Sequence, residues 1–202
     1  MKAVIAEMPG RWLQERRNSD AARWDEVWDG VLHMPPMPNL MHQYFGAVLV
    51  AYLHYRWARP LGNMVIPEVN LTPSDEPDWT ANYRVPDLLL LTPDRFGIMR
   101  ASYCAGAPLV VVEIRSPGDE TYDKLPFYAA LGVPEVWVFD RDTKAPEIRA
   151  LVSGPAYHLA AAGPDGWVRS PATGIAFRQD RPGRVWVRVG DDAATAEELP
   201  QE

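Results

Sequence analysis

Cysteine is nearly absent: Cys104 alone stands among 202 residues. No intramolecular disulfide can form, and no cysteine-based zinc site has its ligands. Such usage fits a reducing compartment, so a cytoplasmic protein is expected. Long apolar runs are missing too. No stretch reaches the roughly 18 uninterrupted apolar residues that a membrane helix needs. The opening MKAVIAEMPGRW has too few apolar residues before Pro9 to act as a signal peptide. The expectation is a soluble chain with no membrane partner. Neither a phosphate-cradling glycine loop nor a Gly-x-Ser-x-Gly nucleophile elbow occurs, and no internal repeat is visible. Cys104 has no evident activating base and reads as a small buried residue.

Positive charge is also scarce, with 20 Lys+Arg against 27 Asp+Glu and a net charge of −7. Non-specific nucleic-acid affinity comes largely from basic side chains, so the balance as a whole is unfavourable for holding phosphodiesters. The distribution is uneven. Residues 141–188 carry Arg141, Lys144, Arg149, Arg169, Arg178, Arg181, Arg184 and Arg188 against four acids, whereas the last fourteen residues hold five acids and no base. The basic stretch is either a binding face or a solvated β-surface that carries arginines. With 47% hydrophobic residues the chain can build one sizeable core. A single domain over residues 1–190 is expected, followed by an acidic, flexible tail over 191–202.

The first ordered signal is Trp24–Met34, two short β-prone runs around Asp29-Gly30, where glycine tolerates the positive φ of a tight hairpin turn. After Pro35, Pro36 and Pro38, Asn39 can cap a helix over Leu40–Arg59, whose Phe45, Val48, Leu49, Tyr52 and Leu53 recur at helical spacing. Pro60 and Gly62 end it. Met64–Leu71 reads as one extended run, and Thr72–Asn82 as an acidic, proline-rich loop. Val85–Leu91 and Pro108–Ile114 are nearly continuous apolar runs, as strands buried on both faces must be. Pro93–Ala107 between them is loop or short helix. Tyr122–Leu131 follows as a short helix with Thr121 as its cap and Gly132 at its end, and Glu135–Asp140 returns as a strand, giving a strand–helix–strand crossover. Runs at Glu147–Val152, Tyr157–Ala160 and Arg184–Val189 extend a mixed sheet.

Two carboxylates, Asp87 and Glu113, interrupt the most apolar runs. A buried carboxylate needs a cation, hydrogen-bond donors or a metal. If the two strands pair, both acids meet at the rim of the sheet, where two hard oxygen ligands suit Mg²⁺ or Mn²⁺. Lys124 lies on the helix that crosses back over the sheet and can reach the same pocket, with Tyr128 one turn later on its face. Its amine can orient water or stabilise negative charge that develops at phosphorus.

The run Arg84-Val-Pro-Asp-Leu, then Val-Val-Glu-Ile-Arg-Ser-Pro, then Tyr-Asp-Lys with Tyr128, and Gly-Val-Pro-Glu-Val-Trp-Val-Phe-Asp140 resembles the Uma family of restriction endonucleases, within the PD-(D/E)XK superfamily. Upstream, Asp25-Glu-Val-Trp-Asp-Gly30, Met34-Pro-Pro and His42 fall where that family has a hairpin, a proline-rich turn and a helix-start histidine, so the likeness spans about Trp24 to Tyr157. It implies an α/β (α+β) restriction-endonuclease-like fold, with a mixed central sheet flanked by helices and additional β-hairpins. It also implies a Mg²⁺- or Mn²⁺-dependent DNA endonuclease with Asp87 and Glu113 as metal ligands. Arg115 stands where the superfamily has lysine, and Lys124 matches a variant whose lysine has moved to the following helix. Arg115 stays protonated and cannot act as a base, though it can bind phosphate. Glu26 and His42 are further candidates, as an extra acid and as a phosphate or water contact. Glu68 is a weaker case, and His33, His54 and His158 show no partner spacing. The competing reading, favoured by the acidic charge and by Arg115, is a catalytically silent module that binds nucleic acid or a protein. A homodimer is expected, because eight tryptophans and several exposed-looking β-runs suggest more apolar surface than one domain hides.

Overall fold

The computed structural model describes residues 3–5, 11, 15, 18, 22–73, 75 and 78–201. Strand β1 (Ala3–Ile5) and the hairpin β2 (Glu26–Trp28) and β3 (Val31–Met34) form a three-stranded antiparallel sheet in the order β1-β3-β2. The hairpin turn is Asp29-Gly30, with φ of 48° and 84°. Both residues are left-handed, as a two-residue turn matched to strand twist requires. That turn fixes the register, which sets Glu26 directly across from His33.

Helix α1 (Leu40–Leu53) starts where Asn39 Oδ1 accepts the His42 amide at 2.9 Å. Its buried face carries Phe45, Leu49, Tyr52 and Leu53. The helix does not stop before Pro60. It widens into a π-helical segment over His54–Ala58, in which the Arg59 amide reaches back to the His54 carbonyl, and then runs on through Arg59–Leu61. A proline ring collides with the carbonyl four residues earlier in a regular helix, and the wider turn relieves that collision. Gly62, at φ 68°, ends it.

The Met64–Leu71 run is two strands rather than one. β4 (Met64–Pro67) and β5 (Asn70–Thr72) are separated at Glu68, whose φ is 48° and whose amide bonds to the Asp87 carbonyl. β6 (Leu88–Leu91), β8 (Val110–Arg115), β9 (Glu135–Asp140), β10 (Pro146–Ala150) and β11 (His158–Leu159) join β4 in a six-stranded mixed sheet ordered β11-β10-β9-β8-β6-β4. β7 (Tyr103–Ala105) pairs with β5 in a separate parallel pair. Within the large sheet β8 and β9 run parallel, joined by helix α2 (Leu125–Leu131) as the crossover. Thr121 is not the cap of that helix. It begins a 3₁₀ turn, Thr121–Lys124, and its amide is held by Asp119 Oδ1 at 3.1 Å.

Alternate residues of the sheet face opposite cores. Leu88, Leu90, Val110, Val112 and Ile114 pack with Phe45 and Leu49 of α1, whereas Leu89, Val111, Val136 and Val138 pack with Tyr128 of α2. Parity therefore places Glu113, in step with Val111, on the side of α2, whereas Asp87 stands just before β6 and its side chain meets His42 of α1.

β12 (Val168–Arg169), β13 (Ile175–Arg178), β14 (Val185–Val189) and β15 (Glu197–Leu199) form their own antiparallel sheet, so the Arg184–Val189 run does not extend the central one. The expected free acidic tail is corrected by the same sheet. β15 pairs with β14, Glu197 and Glu198 bind Arg56 and Arg181, and Leu199 is buried. Most of the basic stretch is paired with acids. Arg149, Arg169, Arg178, Arg181 and Arg188 each sit within 3.3 Å of a carboxylate.

Glu135 couples the two sheets. Its buried carboxylate accepts from Trp137 Nε1 (3.0 Å), Ser170 Oγ (2.5 Å) and the Ala172 amide (2.8 Å). Replacing it leaves two buried donors and one half-buried donor unpaired, so Glu135→Ala should lower unfolding stability by about 2–3 kcal/mol. Urea denaturation checks this, and an unchanged midpoint would refute the coupling.

Candidate active site

The site is built where the C-terminal end of β8 meets the N-terminal end of β6. Glu113 lies two residues before the end of β8, only 3% exposed. Its Oε1 accepts the Tyr128 hydroxyl at 2.5 Å, and the Lys124 ammonium lies 3.2 Å from both of its oxygens. Lys124 and Tyr128 are four residues apart across the start of α2, which brings both over the same acid. Lys124 also reaches Glu26 Oε1 at 2.8 Å. Glu26 is held in turn by the Trp28 indole N–H (2.7 Å) and the Val85 amide (2.8 Å). One ammonium thus bridges two buried carboxylates that lie far apart in the chain. Burial opposes the charge on Lys124, yet Glu113 and Glu26 together hold its proton more firmly than usual. Burial pushes Glu113 above the ordinary carboxylate range; Lys124 pulls against that shift, and the nearby Asp87 and Glu26 add to it.

Asp87 stands just before β6. Its Oδ2 accepts the Ile114 amide at 2.6 Å and its Oδ1 meets His42 Nε2 at 2.7 Å, so both oxygens are oriented. His42 is buried, and its other ring nitrogen, Nδ1, is buried without a hydrogen-bond partner. Asp87, Glu113, Lys124, Glu26 and His42 all line one cavity of about 300 Å³, walled by Pro35–Pro38 on one side and by Ser116–Thr121 on the other.

Arg115 is not part of this constellation. Its guanidinium is committed to Asp140 at 2.6 Å, across the parallel register, and it does not line the cavity. Glu68 lies apart from Lys124, bound by Arg23 and by Trp24 Nε1 at 3.3 Å. His33 and Glu120 belong to the cavity wall although neither stands out in the sequence. His33 Nδ1 lies 3.1 Å from Glu120, and its ring stacks on Trp28 with centroids 4.0 Å apart. The hairpin register did carry a signal for His33, since a two-residue turn sets it opposite Glu26. Behind the site, Arg84 is buried between the rings of Trp28 and Phe127, at 4.4 and 4.1 Å.

The donor set fits a hard divalent cation. Lys124 is shared by Glu26 and Glu113, and Asp87 meets His42 and the Ile114 amide instead, so the three carboxylates have one ammonium bound among them. Among the described residues no trio of His, Cys, Asp or Glu forms a complete metal cage. Two oxygen donors completed by solvent or substrate are what Mg²⁺ usually takes from protein. Asp87 and Glu113 would be those donors.

Removing the shared cation strands two buried acids. Lys124→Met should destabilise the fold by about 3–5 kcal/mol, and Lys124→Met combined with Glu113→Gln should restore part of that loss. Denaturant unfolding of the pair reads it out. A double variant no more stable than Lys124→Met would show that the ammonium does not serve Glu113.

The family model Uma2, described as "Putative restriction endonuclease", matches residues 12–180. No curated protein matches the chain. Among solved structures, one from Anabaena variabilis described as "a putative nuclease belonging to DUF820" aligns with a TM-score of 0.59 at 19% identity, covering 80% of this chain and 89% of that chain. At that identity the likeness establishes a shared fold. With most of its length matched by the family model, this chain belongs to the Uma2 family, described as "Putative restriction endonuclease".

Proposed function

We propose that the protein is a Mg²⁺- or Mn²⁺-dependent nuclease that hydrolyses phosphodiester bonds in DNA. The observation that carries this reading is Glu113, a carboxylate buried in the central sheet, gripped by Lys124 and Tyr128 and adjoining Asp87 in one cavity. A divalent cation, when bound, supplies Lewis-acid stabilisation of charge on the phosphoryl group. The chain's own residues set the geometry. The Ile114 amide and His42 aim the two oxygens of Asp87. Tyr128 and Lys124 fix the carboxylate of Glu113. Lys124, firmly protonated, cannot take a proton from water and instead stabilises negative charge as it develops at phosphorus. The walls at Pro35–Pro38 and Ser116–Thr121 restrict solvent around these groups.

A silent binding module is the second reading. It is favoured by Arg115 standing in the superfamily's lysine position and being tied to Asp140. Supercoiled plasmid incubated with Mg²⁺ or Mn²⁺ separates the two. Nicking by the wild type should fall by at least about 100-fold in Asp87→Ala and Glu113→Gln. Cleavage that persists in Asp87→Ala would sink the catalytic assignment, and absence of Glu113-dependent Mn²⁺ binding would favour the silent module.

A cytoplasmic homodimer belongs to the same reading. Leu40, Tyr44 and Tyr55 are exposed apolar residues along one stretch of the long helix, more than a helix normally leaves to water. Light scattering at micromolar concentration should give the mass of two chains; a single-chain mass would refute it.

A further inference from the structure

The cavity is poor in positive charge for a phosphodiester site. Glu26, Asp87, Glu113, Asp119 and Glu120 line it, and against them stand two cations, Lys124 and Arg141, beside the histidines His33 and His42. Lys124 is already shared between Glu26 and Glu113. Arg141 is held differently. Its amide donates to the Arg115 carbonyl at 2.9 Å, which fixes it one step beyond β9 and beside the end of β8 that carries Glu113. The turn around it is stiff. Asp140 Oδ1 accepts from the Asp142 amide (3.1 Å), the Thr143 amide (2.8 Å) and Thr143 Oγ1 (3.0 Å), and the buried Lys144 ammonium donates to the Arg141 carbonyl.

The side chain, by contrast, is restrained by its neighbour. Nε and Nη2 of Arg141 bind the two oxygens of Asp142 at 2.9 and 3.0 Å. The Asp142 side chain is 58% exposed. An ion pair with so exposed a carboxylate is weak. The planar guanidinium fork that grips it matches two oxygens of a phosphate equally well.

We infer that Arg141 anchors a phosphate subsite at the mouth of the cavity, with Asp142 occupying the fork until a backbone phosphate of the nucleic acid replaces it. This rests on the nuclease reading for the identity of the ligand. The phosphate-binding role that the sequence offered to Arg115 thereby falls to Arg141, the residue that faces the cavity. Lys144 and Asp140 hold the backbone so that the exchange moves the side chain alone.

The test uses the full chain, a short fluorescein-labelled single-stranded oligonucleotide for anisotropy in chelator, and plasmid nicking with Mn²⁺. Arg141→Ala should weaken oligonucleotide binding and raise KM by about tenfold, leave kcat nearly unchanged, and lower the slope of log affinity against log salt by about one. Asp142→Asn, which frees the fork, should tighten binding. A thermal melt of each variant reports folding. Unchanged affinity and salt slope in both variants would overturn the subsite while leaving the nuclease reading intact if nicking persists. Binding that depends on Arg141 with no nicking under either metal would support the subsite and overturn the hydrolase. Loss of kcat with unchanged KM would place Arg141 elsewhere in the reaction and overturn the anchor.

Discussion

The ammonium of Lys124, set between Glu113 and Glu26, is the interaction on which the rest of the structure turns. A carboxylate inside the most apolar sheet of the molecule costs several kcal/mol unless a charge of opposite sign comes with it. That charge arrives by topology. β8 and β9 are parallel, so the chain must cross over between them, and the crossover lays Lys124 and Tyr128 on the face where Glu113 projects. The first strands must then close the far side. Glu26 meets the same ammonium only because the Asp29-Gly30 turn fixes the hairpin register, and because Glu26 also caps the Val85 amide on the approach to Asp87.

Asp87 is compensated by another route, through hydrogen bonds. β6 begins at Leu88, and at its open end the Ile114 amide turns to the Asp87 side chain. His42, placed by the cap at Asn39, supplies the second contact. Two acids of the same cavity therefore differ in character. Glu113 is enclosed and pushed towards its neutral form by burial, whereas Asp87 is oriented at the wetter edge, its side chain 20% exposed. Divergent surroundings for paired carboxylates are a common way to give them separate tasks.

Much of this was legible in the sequence because it follows from local rules. Two acids interrupting apolar runs had to be compensated, the distance from Glu113 to Lys124 matched a short crossover, and Asp-Gly announced a tight hairpin. What failed to show depended on partners far along the chain. His33 gains its role from Glu120, 87 residues away. The acidic tail looked free because Arg56 and Arg181, which hold Glu197 and Glu198, lie elsewhere in the sequence. The break at Glu68 needed a left-handed backbone at a residue type that seldom adopts one. Arg115 was misplaced for a simpler reason: strand parity points it along Glu113's face, but the parallel register sets Asp140 beside it and claims the guanidinium first.

The distribution of charge follows from the same pairings. Most arginines of residues 141–188 are answered by Glu147, Asp165, Asp180, Asp191 and Glu198, so the stretch projects little positive field. A protein of net charge −7 with a carboxylate-rich cavity gains little from long-range attraction of a polyanion. On the nuclease reading, affinity must then come from a few close contacts, together with the cation that the carboxylate excess calls for. On that reading the site discriminates by geometry at short range, because salt screens attraction between exposed charges beyond about 8 Å.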